Sequence, residues 1–186
     1  AGAKVIAVEK DDDLVEFLKQ KFVKEIKNKK LVLVHADILE CDLKSLKLKA
    51  LNHKLVANIP YYITGQLFRK FLSGEIYPSQ MVIMLQKEVA KRIVAQDKKE
   101  SLLSLSIKSY GEPKYISTIN KGSFHPIPKV DSAILSIENI SKNFFQSTQA
   151  VKNFTEEKFF EILHIGFSQK RKQLVGNLSK LIPKEK

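Results

Sequence analysis

The sequence predicts an α/β fold: an open sheet of mostly parallel strands, followed by a small all-helical segment. Three observations predict it. Short, nearly continuous apolar runs at Lys4–Glu9, Leu31–Val34, Lys54–Asn58 and Gln80–Leu85 read as buried strands. Stretches with helical apolar spacing alternate with these runs, as in parallel strands joined by crossover helices. Beyond Ile140 the strand signals cease and only helical spacing remains.

The elements follow in order. Asp11-Asp12-Asp13 supplies an N-cap and an acidic first turn after the first strand. Leu14, Phe17, Leu18, Phe22 and Ile26 then share one helical face. The second strand leads into His35-Ala36-Asp37-Ile38-Leu39, and the third runs into Ile59-Pro60-Tyr61-Tyr62, where the proline ends regular structure. Thr64 caps a helix that reaches Leu72 and ends at Gly74. The fourth strand precedes a helix over Lys87–Ala95, and Leu102–Tyr110 forms another, stopped by Gly111. Lys114–Ile119 and Val130–Ile137 alternate as strands around the loop Phe124-His-Pro-Ile-Pro128. No helix separates them, so they pair antiparallel at one edge. Asn139–Asn153 reads as a polar linker. Thr155, Glu156 and Glu157 open a helix with Phe159, Phe160, Leu163 and Phe167 on its apolar side. Gly166 is a candidate kink, after which Leu174, Leu178 and Leu181 continue the spacing. The expected division is an α/β domain over residues 1–140 and a partial helical domain over 141–186.

Composition narrows the function. A formal charge of +12 on 186 residues suits a polyanionic partner, of which nucleic acid is the commonest. A lysine-rich solvated surface is the competing reading, since Arg69, Arg92 and Arg171 are the only arginines. Lys170-Arg171-Lys172, between Gln169 and Gln173, is the densest basic cluster and reads as one helix face. No apolar run approaches the roughly 18 residues of a membrane span. Cys41 stands alone, which excludes an intrachain disulfide and a cysteine metal cluster. His35, His53, His125 and His164 have no ligand spacing, so no metal is expected. The chain starts Ala1-Gly2-Ala3 without a signal peptide, so a cytoplasmic location and a natural start further upstream are expected.

Ligands of open α/β sheets sit beyond the carboxyl ends of the strands, where Glu9, Asp37 and Asn58 fall. Either the two acids are ordinary strand-end residues, or Glu9 accepts from ribose hydroxyls and Asp37 from an adenine amine. Asn58-Ile59-Pro60-Tyr61 carries more information. Asn58 offers an acceptor oxygen, and the stiff Pro60 lets the Ile59 carbonyl project beside it. Two adjacent acceptors suit an exocyclic amine, and Tyr61 offers a ring on which a base stacks. The alternative is a strand-terminating turn with a packing tyrosine.

The string matches the D/N-P-P-Y motif of amino-methyltransferases in its N-I-P-Y form. Gln86-Lys-Glu-Val-Ala-Lys-Arg92, Phe124-His-Pro-Ile-Pro-Lys-Val-Asp-Ser132 and Phe167-Ser-Gln-Lys-Arg-Lys-Gln-Leu-Val-Gly-Asn177 then stand in a telling order. From Val5 to about Leu181 the chain resembles the ribosomal RNA adenine dimethyltransferases, the KsgA-type family, truncated at both ends. The resemblance implies a Rossmann-like methyltransferase sheet without its first strand and glycine-rich loop. It also implies S-adenosyl-L-methionine (SAM) as cofactor and N6,N6-dimethylation of adenines in small-subunit (16S) rRNA during ribosome biogenesis. The implied partner is the rRNA of a pre-30S particle, met by a monomer. By the same resemblance, Glu9 binds the cofactor ribose, and Asp37 with Ile38 holds its adenine. Asn58 contacts both methyl donor and target amine, beside Ile59 and Pro60. Tyr61 and Phe124 sandwich the extruded base. Lys129, Asp131, Lys170, Arg171 and Lys172 shape the site and the RNA surface. Three other readings stay open: a large-subunit enzyme of the antibiotic-resistance type, a non-catalytic RNA- or ribosome-binding module, and a transcription-factor role.

Overall fold

In a computed structural model of the protein the described residues are 2–147, 154–169 and 173–179. The chain divides into two compact units, Ala1–Lys49 and Ala50–Lys186.

The first unit is a β-α-α-β arrangement. Strand β1 (Val5–Glu9) pairs in parallel with β2 (Leu31–His35), and the register sets Glu9 opposite His35. Between them lie α1 (Asp12–Lys21) and α2 (Val23–Lys27). The Asp11 carboxylate caps α1 by accepting from the Leu14 amide at 2.9 Å. The single helix expected over Leu14–Ile26 is two helices, because Phe22 leaves helical geometry at φ −110°, ψ 30°.

The second unit holds β3 (Lys54–Asn58), α3 (Thr64–Ser73), β4 (Gln80–Gln86), α4 (Lys87–Ile93), α5 (Leu102–Lys108), β5 (Glu112–Ile119) and β6 (Ser132–Glu138). Its sheet runs β3-β4-β6-β5. The pairing is parallel for β3–β4 and antiparallel for β4–β6 and β5–β6, so the expected antiparallel pair does close one edge. The sheet is mixed, since β6 returns from β5 without a crossover helix. The core follows strand alternation: Met81, Ile83 and Leu85 of β4 and Ala133, Leu135 and Ile137 of β6 are fully buried. Helix α4 packs on β5 and β6, and α5 packs on β5 and α3. Leu67, Phe68, Phe71 and Leu72 form the buried side of α3.

The expected linker over Asn139–Asn153 contains α6 (Asn143–Ser147), whose Phe144 and Phe145 enter an aromatic cluster with Tyr110, Phe154, Phe159 and Phe160. Thr155 caps α7 (Glu156–Gly166) as expected, accepting from the Lys158 amide. The helix stops at Gly166 rather than kinking, and a separate α8 (Leu174–Leu178) follows. A Cβ on Gly166 would lie 3.1 Å from the Leu174 side chain, so the glycine admits α8 at close range. The buried Asn177 amide then donates to the Gly166 and Gln169 carbonyls at 2.7 and 3.3 Å. Among the described residues no helix is long and apolar enough to cross a membrane.

Candidate functional site

In the first unit, Glu9 ends β1 and folds back on the chain. Its Oε1 accepts from the Lys10 and Asp11 amides at 2.7 and 2.9 Å, which stiffens the turn into α1. Asp37 lies two residues beyond the end of β2. Its Oδ1 accepts from the Leu39 amide at 2.8 Å, and its Oδ2 pairs with Lys10 Nζ at 2.8 Å. Ile38 beside it is half-buried. A carboxylate is an acceptor-only group with about four lone-pair sites, the chemistry that meets a hydroxyl or an amine. The acceptor chemistry of this strand end therefore suits hydroxyl and amine donors.

In the second unit, Asn58 is the last residue of β3, opposite Met84, and is exposed. Its side chain has no hydrogen bond among the described residues, so a carboxamide oxygen is free at a strand end. Ile59 turns inward and is 8% exposed. Pro60 sits at φ −56°, ψ 135°, and a 3₁₀ turn, Tyr61–Ile63, follows directly. Thr64 does not cap α3 as expected. It is the first helical residue, and its hydroxyl donates to the Tyr61 carbonyl at 2.9 Å, tying the turn to the helix.

Two further contacts join the motif strings. The Tyr61 hydroxyl and Ser132 Oγ hydrogen-bond at 2.7 Å across 71 positions. Next to Ser132, Asp131 accepts from the Lys121 amide through Oδ1 at 3.1 Å and from Lys87 Nζ through Oδ2 at 3.0 Å. These bonds to its ionised form, the Lys121 amide first, hold the Asp131 carboxyl below its usual range. Lys121 opens a short turn, Lys121–Ser123, that delivers the half-buried Phe124. Lys129 is exposed on the same loop. The structure thus ties the segments bearing Tyr61 and Phe124 to two consecutive residues at the start of β6. Lys170, Arg171 and Lys172 lie outside the described residues. The roles of Ser132 and Lys87 were missed from the sequence. A serine placed before the apolar run Ala133-Ile134-Leu135 was the available signal for the first. No group of three or more His, Cys, Asp or Glu among the described residues is placed to hold a metal.

A dimethyladenosine transferase from Plasmodium falciparum superposes with a TM-score of 0.74 at 28% identity, over 94% of this chain and 59% of that one. The 23S rRNA methyltransferase ErmE shares the fold at a TM-score of 0.72 and 20% identity, over 97% of this chain and 68% of its own. The chain has the Rossmann-like α/β fold of the methyltransferases. In sequence, the chain is 41% identical over 178 residues to ribosomal RNA small subunit methyltransferase A of Dehalococcoides mccartyi, covering 96% of this chain and 58% of that protein. It is 39% identical to the protein of the same name from Fusobacterium nucleatum, covering 94% and 63%. The profile described as ribosomal RNA adenine dimethylase matches residues 2–186, and the chain belongs to that family. It spans about three-fifths of the length of these curated relatives.

Proposed function

We propose that the protein transfers methyl groups from SAM to adenine N6 in small-subunit rRNA, dimethylating each target. It acts as a cytoplasmic monomer on a pre-30S particle, with the basic cluster Lys170-Arg171-Lys172 meeting RNA. The observation that carries this reading is the free Asn58 carboxamide at the end of β3, followed by a Pro60 turn whose tyrosine is tethered to Ser132. The family match and the relatives' names support the substrate class.

When bound, SAM supplies a methyl group on a sulfonium, which needs no further activation. We assign Glu9 to its ribose and Asp37 with Ile38 to its adenine. At the target, the Asn58 oxygen and the Ile59 carbonyl accept the two hydrogens of the adenine amine. That bias favours a pyramidal nitrogen, whose lone pair otherwise delocalises into the ring. Asn58 and Ile59 would thereby aim that lone pair at the methyl group that bound SAM would supply. Most of the acceleration is positional. Tyr61 and Phe124 stack the extruded base, offsetting an unstacking cost of a few kcal/mol.

Asn58→Ala in the full-length protein tests the reading on 30S particles whose adenines are unmethylated. Transfer is expected to fall by at least about 100-fold, with RNA affinity nearly unchanged. Wild-type turnover in that variant removes Asn58 from the chemistry. Activity of the unaltered protein on naked 23S RNA alone assigns it to the large subunit. Silence on both RNAs together with no SAM binding leaves a non-catalytic RNA-binding role.

A further inference from the structure

The register of the sheet brings two residues together for which strand pairing alone gives no purpose. Gln86 of β4 faces Ser132 of β6, so the next pair beyond the ladder is Lys87 and Asp131. The ladder gains one more bond there, from the Lys87 amide to the Asp131 carbonyl at 3.0 Å. The side chains then form a second, separate link, with Lys87 Nζ 3.0 Å from Asp131 Oδ2. Both are partly shielded, at 34% and 29% side-chain exposure. The other carboxylate oxygen reaches across the loop base to the Lys121 amide at 3.1 Å. Asp131 is therefore the middle of a three-part clamp. One arm is on α4, and the other closes the loop from Asn120 to Asp131 at its neck.

The loop's other bonds are local, from the Ser123 and Phe124 amides to the Asn120 and Lys121 carbonyls at 2.9 and 3.3 Å. The Asn120 side chain accepts from the Gly122 amide at 2.8 Å, which shapes only the turn itself. Ile127 is 66% exposed and Lys129 projects into solvent, so the loop tip is not packed. Phe124 stands three residues from the clamped amide and inherits its position from that anchor.

We propose that Lys87 is a positioning residue for methyl transfer, holding the Phe124 loop through Asp131. This rests on the adenine dimethyltransferase reading above, in which Phe124 stacks on the target base. Lys87 touches neither base nor cofactor in this role. It orients the carboxylate that pins the loop, and its backbone bond to Asp131 survives side-chain replacement, so the sheet register is kept.

The test compares Lys87→Ala, Lys87→Arg and the isosteric Asp131→Asn in the full-length protein, by two independent readouts. The first is backbone amide exchange over residues 120–124, which needs no substrate. The second is kcat and KM for methyl transfer to unmethylated 30S particles, with RNA affinity measured separately. In Lys87→Ala and Asp131→Asn, exchange is expected to quicken about tenfold as the neck opens. Their kcat is expected to fall about tenfold with RNA affinity unchanged, while Lys87→Arg restores both. Unchanged exchange in Lys87→Ala and Asp131→Asn overturns the clamp, whatever the activity. Faster exchange with wild-type kcat overturns the positioning role. If the unaltered protein transfers no methyl to any adenine amine while exchange still responds, the adenine reading has failed. The positioning role then falls with it, and the clamp remains only as a loop anchor.

Discussion

Ser132 is fully buried at the head of β6, and a buried hydroxyl without a partner costs about 1–3 kcal/mol. Tyr61 supplies that partner, so one bond both satisfies the strand and fixes the ring. Tyr61→Phe keeps the ring and removes the bond. It is expected to lose about 1–3 kcal/mol by denaturant unfolding. A double-mutant cycle with Ser132→Ala should show coupling, and strict additivity would disprove the tether. Asp131 gives a prediction in pH. Its folded-state pKa is depressed by the Lys121 amide and then by Lys87. The carboxylate therefore contributes stability above the unfolded pKa of an aspartate, and loses it as pH falls through the lowered folded value. Side-chain carbon NMR should show Asp131 titrating below the usual aspartate range. A midpoint at or above that range means the clamp does not form in solution.

Tyr110 just past α5, Lys142 just before α6, Ser73 of α3 and Glu156 of α7 meet at one polar knot beside an aromatic cluster. The Tyr110 hydroxyl donates to Glu156 Oε1 at 2.5 Å, and Lys142 Nζ reaches Glu156 Oε2 at 3.4 Å and the Ser73 carbonyl at 2.8 Å. Burial, and then the Glu156 carboxylate, push the Tyr110 hydroxyl upward, so it stays a donor throughout the physiological range. Tyr110→Phe keeps the ring stacked near Phe160 but strips Glu156 of its closest partner. A loss of about 1.5–3 kcal/mol is expected, read as a lower Tm. An unchanged Tm would mean the knot adds nothing. Elements with a purely local cause were legible in the sequence: the Asp11 and Thr155 caps, the apolar strands, and the antiparallel pair that no helix separates. The breaks were not. No glycine or proline marks Phe22, where the helix expected over Leu14–Ile26 divides. The Phe144-Phe145 pair lies in the stretch read as a polar linker, and its partners Tyr110, Phe159 and Phe160 lie far away in sequence. Gly166 looked like a kink because its purpose, room for Leu174, exists only once α8 is present. The candidate site divides in the same way. Asn58, Tyr61 and Phe124 were visible as strings, whereas the Ser132 and Lys87 contacts depend on the β4–β6 register.

For the molecule as a whole, a charge of +12 makes the proposed RNA binding depend on salt. Replacing Lys170, Arg171 and Lys172 together with Gln should weaken binding and lower the log–log salt slope by about 2–3. An unaltered slope would show that this triplet does not meet phosphate. The bond between Tyr61 and Ser132 also bears on how the molecule matures. Its two ends lie 71 positions apart, and β4 with its register to β6 must exist before they can meet. Contacts of such long range repay their loop-closure entropy late. A newly made chain is therefore expected to acquire its strands before it acquires a tethered tyrosine.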